Sequence, residues 1–285
     1  MPSSYSSDFL GIALLRLNYV NVAVAFLWVY DYMLTISNEI TFLFHGQWSK
    51  TKYMYLICRY VPFAFVTLEM LLAVQPALSQ SLCQLYYSLN TYIGGVILIC
   101  AECIFIMRAC ALWGFRRSIV AFFVISVVLY LGVTILILSL YTSGTTVIAS
   151  TIPSVSCFDS GENIVIVAAY SLLVLSELEI LLFSLYKALE SFRSWGGDNR
   201  LLEVLIHHNI FYFACGMCLS LVVILTTALL QASYGNTMAN AQVVFHALLV
   251  TKMHRDLWEA DRLADHSDSL DMSLSTFGVA SGMSQ

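Results

Sequence analysis

Glu69, Glu102, Glu177 and His246 have the residue types and settings for chemistry, because each lies inside a long apolar stretch where an ionisable group is expensive. A charge near a bilayer centre costs about 3 kcal/mol even on a lenient insertion scale, so groups kept there point to binding or transport. Carboxylates at that depth suit recognition of a cation, an amine or a proton, with Glu102 in the third stretch the best single candidate. The competing reading is a set of protonated structural acids bonded to Ser, Thr or backbone. Glu177 and Glu179 are two residues apart, which puts them on well-separated faces of a helix, so they cannot both line one narrow site.

Asp31, Arg59 and Arg108 form a second group, each about one to two turns from the same end of the first three stretches. Their shared depth predicts an inner polar cluster in which Asp31 pairs with Arg59 and Arg108 lies nearby. The alternative is that both arginines snorkel to the interface.

Catalytic patterns are missing. His45, His207, His208, His246, His254 and His266 are scattered, the adjacent pair diverges on a helix, and a zinc site needs three or four converging ligands. No H-E-x-x-H, G-x-S-x-G or P-loop pattern occurs. A retinal pigment needs a lysine near the middle of the seventh stretch, whereas Lys252 sits at its edge. The expectation is a protein that is no enzyme, with no metal and no cofactor.

The elements that must position these groups follow from composition. Hydrophobic residues make up 59% of the 285 and charged residues only 11%, and mean hydropathy is +0.80, which excludes a soluble or nucleic-acid-binding protein and makes the lipid bilayer the solvent. Apolar stretches at about 17–36, 53–76, 88–113, 118–141, 162–187, 204–230 and 237–253 predict an all-α bundle of seven transmembrane helices, since lipid forces each segment to satisfy its own backbone. The last is the weakest, interrupted by Asn240, Gln242 and His246.

Charge placement argues for seven crossings over six. Of the 13 Lys and Arg, ten lie in the first, third and fifth gaps and the tail: Lys50, Lys52, Arg116, Arg117, Lys187, Arg193, Arg200, Lys252, Arg255 and Arg262. Arg59 and Arg108 lie near those same ends, leaving Arg16 alone on the other side. The positive-inside rule then puts the N-terminus outside and the C-terminus in the cytosol. The expected organisation is a short external N-terminus (1–16), the membrane domain (17–253), and a short amphipathic helix followed by a disordered tail (254–285). The first stretch reads as an uncleaved anchor. Cys83 and Cys157 are the two cysteines in external gaps, facing an oxidising compartment, and are expected to form a disulfide; the other reading is two unrelated thiols.

The stretch YDYMLTISNEITFLFHGQWSKTKYMYLICRYVPF, Tyr30 to Phe63, resembles the signature of a fungal, mainly basidiomycete, multipass membrane family, domain of unknown function 6533. The likeness rests on an aromatic-Asp-aromatic run followed by Leu-Thr, on Glu39, on a Trp-containing basic loop, and on Arg59-Tyr60. MRACALWG from Met107 resembles the family's Arg-x-x-Ala-Leu-Tyr-Gly segment with Trp113 in place of Tyr, and KMHRDLW from Lys252 echoes its closing basic stretch. The signature covers about 18–66 and implies a seven-helix fungal membrane protein without assigned activity. The layout is receptor-like, although the Asp/Glu-Arg-Tyr and Asn-Pro-x-x-Tyr segments of the main receptor class are missing. The functional expectation is a receptor-like or signalling-associated protein of the plasma membrane, with an external small ligand or cation and a cytosolic signalling partner. The alternative is a small-solute or proton-coupled transporter.

Overall fold

In the computed structural model, the backbone is described for residues 3–45, 49–74, 79–144, 147–149, 157–159, 163–195, 200–230 and 232–282. Seven helices cover these residues: α1 (Ser3–His45), α2 (Lys50–Val74), α3 (Gln80–Leu112), α4 (Arg117–Gly144), α5 (Asn163–Trp195), α6 (Arg200–Leu229) and α7 (Ala232–Gly282). Between α4 and α5 lies a short antiparallel strand pair, β1 (Val147–Ala149) with β2 (Cys157–Asp159), in which Ala149 faces Cys157. β1 packs against α3.

Six helices, α1 to α6, are long and apolar enough to cross a membrane, which makes this a multi-pass membrane protein. α7 does not reach that hydropathy, yet it packs against α1, α2, α3, α5 and α6. Gln242, His246, Thr251 and His254 are buried there alongside Val243, Val244, Ala247 and Val250. Its polar residues lower the hydropathy because they face other helices. α4 is the opposite case, with its apolar side chains largely turned outward.

Two segments outside the expected membrane domain are helical. Residues 3–16, read as a short external segment, begin α1, and the tail read as disordered continues α7 as helix to Gly282. Between Gly235 and Gly278 that segment has no Gly or Pro, so no residue along it breaks the helix.

The core has two layers. Phe105, Ala109, Ile180, Tyr212, Phe213, Val250 and Met253 pack together in one, and Trp28, Phe65, Ile97, Val243 and Ala247 in the other. α3 ends in a Schellman turn: the Phe115 N–H donates to the Cys110 carbonyl (2.9 Å) and the Gly114 N–H to that of Ala111 (2.9 Å). Gly114 sits at φ 59°, which glycine adopts without steric penalty. In α2, Pro62 lacks the N–H that the Cys58 carbonyl would accept, so the helix is free to bend just after Arg59.

Candidate functional site

The interior holds three polar clusters and one cavity. In the middle, α3, α5 and α7 bring together Glu102, Glu177 and His246, with one potential ligand atom from each lying within 4.8 Å of the others. His246 Nε2 is 3.1 Å from Glu102 Oε1, and His246 Nδ1 is 3.6 Å from Glu177 Oε1. The Ser176 hydroxyl donates to the other Glu102 oxygen at 3.0 Å. Phe105 packs edge-on to the imidazole, 5.2 Å between ring centres. α6 contributes Gly216, where a Cβ would stand 3.2 Å from Glu177 Oε1 and 3.3 Å from His246 Cε1, so a larger residue would press on both.

This arrangement corrects the reading that scattered histidines leave no metal-ligand constellation. A single imidazole with carboxylates from two other helices needs no second histidine. Glu179 turns away from the cluster and accepts a hydrogen bond from the Tyr130 hydroxyl of α4 at 2.5 Å, as residues two apart on a helix must diverge.

Glu69 stands apart from this cluster. Its carboxylate accepts from Asn21 of α1 (3.4 Å) and from Asn90 of α3, tying three helices together. Both Glu69 and Asn90 are buried.

Asp31 and Arg59 meet at 2.7 Å, and the cluster around them holds more than was expected. Arg59 Nε also donates to Glu39 at 2.8 Å and Nη2 to the Thr35 hydroxyl. Asp31, Thr35 and Glu39 follow one another at intervals of four along one face of α1, so one guanidinium spans two helical turns. The Arg59 side chain is fully buried and its guanidinium lies 5.7 Å from the Trp28 ring and 5.1 Å from that of Tyr32, which rules out snorkelling. Glu39, noted in the sequence only as part of the family resemblance, joins the cluster because α1 carries on to His45 after the first apolar stretch fades at 36.

Arg108 is drawn to α7, where its guanidinium donates to His254 Nδ1. Arginine has no acceptor, so that imidazole nitrogen must offer its lone pair. The His254 ring also packs against Phe42 (5.5 Å) and Tyr55 (5.5 Å), one turn from Arg59, so both arginines belong to one end of the bundle. Lys52 of that end is buried and donates to the Leu43 carbonyl at 2.9 Å, capping α1.

A cavity of 280 Å³ lies between α3, α4, α5 and α7. Its middle is apolar, with Leu98, Ile99, Val127, Leu131, Leu172 and Leu173. Asn90, Thr91, Asn236 and Asn240 line one region, and Glu102 and Ser176 lie deeper along α3 and α5. Cys83, one turn before Tyr87 at that first region, is disulfide-bonded. Cys58, Cys100, Cys103, Cys110, Cys215 and Cys218 are free thiols. Cys157 is on β2, but its side chain lies outside the described residues.

These features define a multi-pass membrane helix bundle with an enclosed polar interior. Residues 19–64 match a family of unknown function (DUF6533), a span that contains Asp31, Thr35, Glu39 and Arg59. No curated protein matches the chain.

Proposed function

We propose that this is a fungal seven-helix membrane protein that binds a small amphipathic ligand in the cavity and answers by repacking its helices, a receptor-like activity without bond chemistry. The carrying observation is the cavity itself: an apolar barrel with polar groups towards one end and the Glu102 carboxylate deeper inside. An apolar ligand body fills the middle while an amine or hydroxyl head donates to Glu102. α7 connects this site to the basic end, because it carries both His246 and, two turns on, His254 beside Arg108. Counting α7 as a seventh crossing puts the basic end in the cytosol, where it would meet a signalling partner, and the N-terminus outside. The plasma membrane is the location this reading adopts.

Gly95 provides the test. It lines the cavity, and a Cβ there meets nothing within 4 Å, so Gly95→Leu starts a side chain into open space at the cavity wall. Amphipathic amines and alcohols that raise the melting temperature of the purified protein should lose their effect in Gly95→Leu. An undiminished shift in that variant would remove the ligand from the cavity. Glu102-dependent solute flux in proteoliposomes would favour the transporter reading instead.

A further inference from the structure

Buried polar atoms short of partners lie at the contact of α5 with α7, where Glu177 meets His246. Glu177 has the Ser220 hydroxyl of α6 as a hydrogen-bond partner, and Ser220 in turn accepts from Gln242 Nε2 at 2.5 Å, whereas His246 Nδ1 and Gln242 Oε1, one turn before His246 on the same face of α7, have no hydrogen-bond partner. Glu177 and Gln242 are each 2% exposed and His246 is fully buried, so bulk water does not supply the missing donors. Buried polar atoms of native proteins nearly always find partners, and an imidazole with a carboxylate at each ring nitrogen finds its positive charge in a second ring proton or in a bound cation.

The spacing agrees. His246 Nδ1 and Glu177 Oε1 are 3.6 Å apart, too long for a hydrogen bond. Two donors that share a tetrahedral ion at roughly 2.1 Å each are about 3.4 Å from one another. On the opposite edge of the ring Nε2 is 3.1 Å from Glu102, so a neutral imidazole with its proton there has its Nδ1 lone pair towards Glu177. That is how an outer carboxylate orients a metal-binding imidazole. Gly216 keeps clear the space beside both donors, since a Cβ there would lie 3.2 Å from Glu177 Oε1 and 3.7 Å from His246 Nδ1. With the imidazole neutral and both carboxylates ionised the cluster carries two negative charges, which one divalent cation cancels.

We propose that Glu177 and His246 bind a divalent first-row transition cation, Zn²⁺ by preference for this mixed nitrogen and oxygen donor set, with Gln242 the candidate third donor and Glu102 the orienting carboxylate. The site shares Glu102 with the ligand reading, but the metal is measured without any ligand present, so the failure of one is distinguishable from the failure of the other.

The experiment is metal analysis of the purified protein, stripped by chelator, reloaded with Zn²⁺ and desalted, with Co²⁺ as a visible-absorption probe. The wild type should hold about one ion per chain and give a tetrahedral Co²⁺ spectrum. His246→Ala and Glu177→Gln should lose the ion, and Glu102→Gln should weaken it by about 10–100-fold. Glu179→Gln, two residues away and turned towards Tyr130, should keep it, as should Gly95→Leu with its cavity filled. A wild-type protein that retains no ion after reloading would overturn the proposal whatever the variants do. Equal retention by a monodisperse His246→Ala protein would overturn it too.

Discussion

Arg59 is the place where a single substitution should be felt most, and its surroundings fix the order in which its partners matter. The guanidinium carries one positive charge, is fully buried, and holds Glu39 at 2.8 Å, Asp31 at 2.7 Å and the Thr35 hydroxyl. Arg59→Gln leaves the Glu39 carboxylate, 2% exposed, without a cation; breaking a buried pair in this way costs about 3–5 kcal/mol. Glu39→Gln removes a charge-assisted hydrogen bond but leaves Arg59 paired with Asp31, a loss of about 1.5–3 kcal/mol. The Asp31 side chain is 28% exposed against 2% for Glu39, so its pair is less enclosed and Asp31→Asn should cost less than Glu39→Gln. The double variant Asp31→Asn with Arg59→Gln should be milder than the sum of its singles. Cys58, fully buried and adjacent to Arg59, is a built-in reporter. Heating the detergent-purified protein with a thiol-reactive dye and following labelling of Cys58 reads the opening of α2. Asp31→Asn as damaging as Arg59→Gln, or strict additivity in the double variant, would refute the reasoning.

Two further predictions concern the frame around the site. Digestion without reduction should yield a cross-linked peptide joining Cys83 to Cys157, and its removal should cost about 2–5 kcal/mol; recovery of Cys157 as a free thiol ends the pairing. Protease protection of tags at the two ends should give opposite results if α7 crosses the membrane, whereas matching results would mean an even number of crossings.

Hydropathy revealed the helices α1 to α6 because an apolar segment in lipid has essentially one way to satisfy its backbone, and the periodic depth of Asp31 and Arg59 made their meeting legible. Its signal was weakest at α7, because hydropathy records what a residue is and not which way it faces. Gln242, His246 and Thr251 read as interruptions but are the polar interior of the bundle. Glu39 stood out only through the family resemblance, because helix and apolar stretch end at different residues and α1 carries it two turns past Asp31.

By itself the sequence determined the solvent, the helices and the depth of each ionisable group, since these follow from the local cost of placing polar atoms in lipid. Which groups meet was decided by tertiary structure alone. Glu102 and His246 are 144 positions apart and Arg108 and His254 146 apart, so their pairing depends on α3 packing against α7. The opening beside Glu177 depends on Gly216 of α6 facing the same point. Helix neighbours and rotations are chosen by the summed fit of many side chains, and no single residue or spacing carries that information.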